Sequence, residues 1–253
     1  MIGVFDSGSG GLTVLAAIRE RLPSADILYF GDIKNAPYGS KTPAELSALT
    51  FRAFDFLLAR GATSIVSACN SASAALAVSL IDAEDFSPER VIEMVGPTVR
   101  YFKHADSKIL LCATPATIAS GIYQNAFAMV GKDIRTLAIP ELAGAIEFGE
   151  SEEAIERIVE EALNSLPRDG YSAVILACTH YPLAMNAFRK AFGGGILIFD
   201  PAEAVAERVE ETWWPREAGN GKLSFFISKD SEPFRARVAE FFPESAGKIE
   251  VIE

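Results

Sequence analysis

Two cysteines stand at matching places in the chain. Ile65-Val66-Ser67-Ala68-Cys69-Asn70-Ser71 and Val174-Ile175-Leu176-Ala177-Cys178-Thr179-His180 each run an apolar strand into a cysteine, followed at once by small polar groups. In open α/β sheets the carboxyl end of a strand is the edge where ligands bind. A helix N-terminus or a nearby cation draws a thiol toward thiolate. One thiolate and one thiol on opposite faces of a carbon centre can remove a proton on one side and return one on the other. Two such halves suit a reaction whose substrate and product are mirror images.

Other chemistry competes for the same residues. Cys69, Cys178 and His180 are three zinc-type ligands, although the spacing is not that of a closed structural site and no metal is assigned. Cys178 with His180 also fits a thiol hydrolase, which would leave Cys69 without a role. Cys112, within Ile109-Leu110-Leu111-Cys112-Ala113, reads as a small buried hydrophobe. The turn Asp6-Ser7-Gly8-Ser9-Gly10-Gly11 joins a strand to a helix and offers amides to an anion. It is neither a dinucleotide fingerprint, because Thr13 takes the third glycine position, nor a P-loop. Asp6 would repel phosphate, but it can receive an ammonium group or orient a thiol. In Asn35-Ala36-Pro37-Tyr38-Gly39-Ser40-Lys41, exposed amides and the Tyr38 hydroxyl could grip a carboxylate.

The elements that must position these groups alternate in type. Strands are expected at Ile2–Phe5, Asp26–Phe30, Ser64–Ala68, Val91–Val95, Lys108–Ala113, Ile134–Ile139, Ala173–Ala177, Gly195–Phe199, Leu223–Ile227 and Ile249–Ile252. Between them, Leu12, Leu15, Ile18 and Leu22 recur at helical spacing, and Pro43 opens a helix that Gly61 follows. A small-residue helix follows Cys69, another runs to about Val130, and Ser151 caps a third. Leu183–Phe192, Pro201–Trp214 and Glu232–Phe241 complete the helices. This alternation predicts an α/β fold with mostly parallel sheets, and the matching cysteine segments suggest two pseudo-symmetric halves facing each other across a shared cleft. The expected division is 1–94 with 205–253 for the first domain and 95–204 for the second.

Charge narrows the partners. The 253 residues carry a net charge of −11, which disfavours nucleic acid and anionic membrane surfaces. Three widely spaced cysteines and an N-terminus without a basic start suggest a reducing, cytoplasmic setting. The uncharged stretches Ala62–Ile81 and Ile109–Gly131 are long enough to span a bilayer, but both are rich in hydrating residues. The expected partner is a small molecule. The helix Glu203–Trp214 can pack in a core or in a homodimer interface.

Together these segments resemble the glutamate racemases, cofactor-independent enzymes of the aspartate/glutamate racemase superfamily. The resemblance rests on Gly3 to Leu15, Gly31-Asp32, Pro37 to Lys41, Ala68 to Ser73, Thr114 to Thr117 and Cys178 to Leu183, in the family's order and through about Ala206. It implies interconversion of L- and D-glutamate, with D-glutamate supplied to peptidoglycan for cell-wall growth and cell shape, and no cofactor. It implies Cys69 and Cys178 as acid/base thiols, Asp6 assisting Cys69, His180 assisting Cys178, and Glu147 as a further acid. Ser7, Pro37, Tyr38, Gly39, Asn70, Ser71, Thr114, Thr117 and Thr179 would bind the amino acid. The chain departs from the family pattern at Ser9, usually valine, at Ser71, usually threonine, and at Ala184, where leucine is common. Its Ile139–Glu147 segment matches poorly. The alternatives are a racemase for aspartate or another amino acid, or a cysteine-dependent isomerase on the same fold. The turn Asp6-Ser7-Gly8 favours glutamate over aspartate.

Overall fold

The computed structural model describes residues 1–79, 88–167, 170–245 and 248–252. Among them the strands are β1 (Ile2–Asp6), β2 (Ile27–Gly31), β3 (Ser64–Ser67), β4 (Val91–Glu93), β5 (Ile109–Ala113), β6 (Ile134–Ala138), β7 (Ala173–Ala177), β8 (Leu197–Phe199), β9 (Leu223–Ile227) and β10 (Ile249–Val251). They pair in parallel in two sheets, ordered β10-β9-β2-β1-β3-β4 and β6-β5-β7-β8. The order β2-β1-β3-β4 recurs as β6-β5-β7-β8, so the two halves share one topology. Cys69 lies just past β3, and Cys178 just past its counterpart β7.

Both faces of each sheet are covered, which explains the unbroken apolar runs of β5 and β7. Successive residues of a strand point to opposite faces. Val4 and Tyr29 therefore join one core while Phe5 and Phe30 join another. In the second sheet Leu110 and Cys112 face one layer, and Leu111 and Ala113 the other. Cys112 is a core residue, as its sequence surroundings suggested.

The helices are α1 (Leu12–Arg21), α2 (Pro43–Ala59), α3 (Asn70–Ser79), α4 (Val95–Phe102), α5 (Pro115–Ala119), α6 (Ile122–Met129), α7 (Leu142–Phe148), α8 (Glu152–Leu163), α9 (Met185–Phe192), α10 (Ala202–Trp213) and α11 (Glu232–Phe241). Four differ from expectation. The strand expected over Val91–Val95 stops at Glu93, whose carboxylate accepts from Val95 N at 2.5 Å and Gly96 N at 2.7 Å and so opens α4. The single helix to Val130 is two helices, because Gly121 turns left-handed at φ +68° between α5 and α6. Helix α7 was not anticipated, and α9 begins after a 3-10 turn over Tyr181–Ala184. Ser151 caps α8 as expected, its side chain accepting from Ala154 N.

No helix among the described residues is long and apolar enough to cross a membrane. The last two positions of the uncharged stretch 62–81 lie outside the described residues.

Helix α2 starts at a reciprocal cap. Thr42 Oγ1 accepts from Glu45 N at 3.3 Å, and Glu45 Oε2 accepts from Thr42 N at 2.9 Å. Thr42→Ala is expected to cost about 1 kcal/mol in urea unfolding. An unchanged midpoint would mean that core packing alone holds the start of α2.

Candidate active site

The carboxyl ends of the two sheets meet. The turn after β1 reaches across to the segment after β7: Thr179 Oγ1 donates to Asp6 Oδ2 at 3.0 Å. Gly10 sits so close to that segment that a Cβ there would lie 2.6 Å from Thr179 Oγ1 and 2.8 Å from His180 N. Gly11 leaves no more room, with Asp6 Cβ 2.5 Å from where its own Cβ would be. These glycines serve a close approach of backbone to side chain.

The first thiol belongs to Cys69. Its Sγ is 3.7 Å from Ser7 Oγ. Burial first, and then the negative charge of Asp6, push it up to about 12, against the pull of the Ala72 amide and Ser7. Cys178 is among the charges that Cys69 senses, so the two sulfurs share one electrostatic neighbourhood. Asp6 is itself raised above the ordinary carboxyl range by complete burial, despite His180 and the Gly8 amide.

The second thiol has a different escort. Cys178 Sγ lies 3.9 Å from His180 Nδ1, and His180 Nε2 lies 2.6 Å from Glu147 Oε2. Burial alone would strip His180 of its proton, but the hydrogen bonds to Cys178 and Glu147 outweigh it and raise His180 to about 10. An imidazolium donates from both nitrogens, one toward the sulfur and one toward the carboxylate. Glu147 is held below the usual range because His180 and Ser9 offset its burial. Ser9 contributes both its amide, at 2.9 Å, and its hydroxyl, at 2.6 Å. Among the described residues Glu147 Oε1 has no partner.

Around the thiols lies a shell of hydroxyls and amides. Ser71, Thr114 and Thr117 join their hydroxyls at 2.9–3.2 Å, tying the start of α3 to α5. Gly39 packs against Thr114, where a Cβ would come within 2.6 Å of Thr114 Cβ. Asn70 Oδ1 accepts from the Tyr123 hydroxyl at 2.6 Å, which fixes the amide and leaves Asn70 Nδ2 an unpartnered buried donor. One expectation is corrected: the Tyr38 hydroxyl spends its proton on Asp32 Oδ2 at 2.7 Å, so that proton is not free for a carboxylate. Pro37 leads into the 3-10 turn over Tyr38–Ser40, whose Tyr38 and Gly39 are buried and which this bond anchors.

The family profile described as Asp/Glu/Hydantoin racemase matches residues 10–209. The chain belongs to that racemase family. It is 33% identical to a glutamate racemase of Ruegeria sp. (strain TM1040), over 95% of this chain and 96% of that protein. The fold superimposes on a glutamate racemase isoform of Bacillus anthracis with a TM-score of 0.88 at 29% identity, covering 100% of this chain and 97% of the other. It also matches the glutamate racemase of Francisella tularensis in complex with D-glutamate, with a TM-score of 0.87 at 26% identity and the same coverage.

Three contributors to this racemase-family site escaped sequence reasoning. Asp32 collects Asn35 Nδ2, the Tyr38 hydroxyl and the Ser228 hydroxyl, and so fixes the loop before α2. Tyr123 orients Asn70 from a helix of the other sheet. Arg237, on α11, donates to Ser9 Oγ and to Ile146 O. No local motif marks Tyr123 or Arg237, because each works through a partner far away in the chain; Asp32 lies in the Gly31-Asp32 segment, but its partners were not legible there.

Two tests follow from this geometry. Gly10→Ala is expected to destabilise the fold by about 1–3 kcal/mol through overpacking. Gly144→Ala, where nothing lies within 4 Å, is the neutral or stabilising control. Equal urea midpoints for the two variants would contradict the close approach at Gly10. For His180, raised from 6.5 to about 10, the stabilisation is complete below pH 6.5 and is lost as pH rises through about 10. Glu147, lowered from 4.5, stabilises above that value and less as pH falls below it. The melting-temperature gap between wild type and His180→Asn should therefore narrow from pH 6.5 to 10. A gap that stays constant over that range would mean that His180 is neutral in the fold.

Proposed function

We propose that the chain is a cofactor-independent glutamate racemase that moves the Cα proton between two thiols. The observation that carries this reading is the pair of cysteines at equivalent strand ends, each backed by its own polar escort. Cys178 beside the His180 imidazolium is suited to be a thiolate, and Cys69 in its buried, acid-flanked position to be a thiol. Such a resting pair removes a proton from one enantiomer through Cys178 while Cys69 delivers one to the opposite face. The other enantiomer requires the reverse protonation state, in which Asp6 assists Cys69.

The Cα proton of an amino acid is very weakly acidic, so charge developing on the carboxylate must meet preorganised donors. Asn70 Nδ2, the hydroxyls of Ser71, Thr114 and Thr117, Thr179, and the backbone of Ser7 and Pro37 to Gly39 are the groups assigned to that task. The relatives' names and the D-glutamate bound to the Francisella enzyme support glutamate as the substrate. Supply of D-glutamate to peptidoglycan in the cytoplasm belongs to the same reading, as does assembly into a homodimer. So does a division into domains at 1–94 with 205–253, and 95–204. Strand β4 ends the first stretch in one sheet and β8 lies late in the second.

Cys69→Ala and Cys178→Ala should each lower kcat for racemisation of both enantiomers by about 10²–10⁴-fold. In heavy water, each variant should still exchange the Cα proton of one enantiomer, and the two variants should differ in which. Full racemisation by either variant, measured by chiral chromatography on glutamate and aspartate, would end the two-thiol reading. Preference for aspartate would redirect the substrate assignment.

A further inference from the structure

We propose that Arg237 is a positioning residue for the second thiol, acting through Ser9 and Glu147 on His180. The proposal rests on the racemase reading for its consequence, but on contacts of this chain for its content. Arg237 lies on α11, late in the chain and far in sequence from every motif discussed above. One guanidinium nitrogen donates to the Ser9 hydroxyl, and the other donates to Ile146 O. Ser9 passes its own proton to Glu147 Oε2 at 2.6 Å, and the same oxygen accepts from His180 Nε2 at 2.6 Å. His180 Nδ1 then faces Cys178 Sγ. The result is a continuous chain of hydrogen bonds from Arg237 to the sulfur, in which the Glu147 carboxylate accepts from both sides.

Each link has a physical reason. Ile146 O is in the last turn of α7, where a cation is favoured, and it accepts from Arg237 as well as, at 3.4 Å, from the capping Gly149 amide. By closing that end, Arg237 fixes the neighbouring residue, Glu147. Nη1 also sits 3.8 Å from Glu147 Oε2, with the Arg237 side chain only 16% exposed, so its positive charge is weakly screened. The hydroxyl at position 9 makes the link: it accepts from the guanidinium and donates to the carboxylate, which an aliphatic side chain cannot do. Arg237 thus joins three parts: α11, the turn after β1, and α7 beside the second thiol.

The titratable and charged groups facing this chain are Asp6, Tyr29 and Cys69 from the first half, Glu147, Cys178 and His180 from the second, and Glu240 on α11 itself. Removing the guanidinium withdraws positive charge from Glu147 and leaves Ser9 Oγ and Ile146 O without the donor that holds them. Both changes leave the imidazolium less well aimed at Cys178 and disfavour the thiolate there. Cys69 has Ser7 and Asp6 for company and lies outside the chain.

The test is the pH dependence of alkylation by iodoacetamide, followed at each cysteine by peptide mass spectrometry on the full-length protein. Arg237→Met should move the Cys178 midpoint upward by about half a unit to one unit and leave Cys69 unmoved. Its kcat for glutamate should fall on the order of tenfold, with KM little changed. Arg237→Lys should recover most of both effects, and Ser9→Ala should shift Cys178 in the same direction as Arg237→Met. An unmoved Cys178 profile in folded Arg237→Met overturns the proposal. So does an equal shift at Cys69, or a lysine variant no better than methionine. Should Arg237→Met fail to fold, Ser9→Ala decides by the same readout. The alkylation profile needs no substrate, so wild type that does not racemise glutamate would sink the racemase reading while this test still stands.

Discussion

The site depends on one contact between halves: the turn after β1 pressed against the segment after β7. Thr179 bonds to Asp6, and Gly10 makes room for Thr179 and His180. Either half alone would have one thiol at the end of one sheet and nothing opposite it. The close approach tolerates no Cβ at position 10, which is why a glycine-rich turn lies here without any phosphate-binding motif.

The halves share a topology but not a chemistry. The order β2-β1-β3-β4 and its repeat β6-β5-β7-β8 place Cys69 and Cys178 at corresponding positions. Their escorts differ. Cys69 has a buried carboxylic acid and a serine hydroxyl, whereas Cys178 has a charged histidine tied to a carboxylate. Burial raises a thiol, while an adjacent imidazolium offers the donor that a thiolate needs. A near-symmetric fold therefore gives its two thiols unlike surroundings.

Distant residues keep that asymmetry in place. Asp32 organises the loop carrying Tyr38 and Gly39 by accepting from three side chains. Tyr123, on α6, sets the amide of Asn70, on α3. Ser9 and Arg237 hold Glu147 against His180. The bonds of Tyr123, Ser9 and Arg237 join partners far apart in sequence, while Asp32 also gathers Asn35 and Tyr38 from its own loop.

Much of this was legible in the chain itself. Apolar runs and helical spacing gave away β5, β7, β9 and α11, and the Ser151 cap announced α8, because periodicity and capping are local properties. The cysteines with their polar successors could be singled out for the same reason. Helix α4 was missed because a side chain, Glu93, rather than a cap-type residue starts it, and α7 because it is short and supported by tertiary contacts. The Tyr38 hydroxyl was misassigned because its partner, Asp32, is settled only when the loop folds back on β2. Which carboxylate meets His180, which arginine stands behind it, and whether two sulfurs share one cleft are decided by packing between elements. Local residue types could nominate the thiols, but only tertiary structure could supply the neighbours that set their protons.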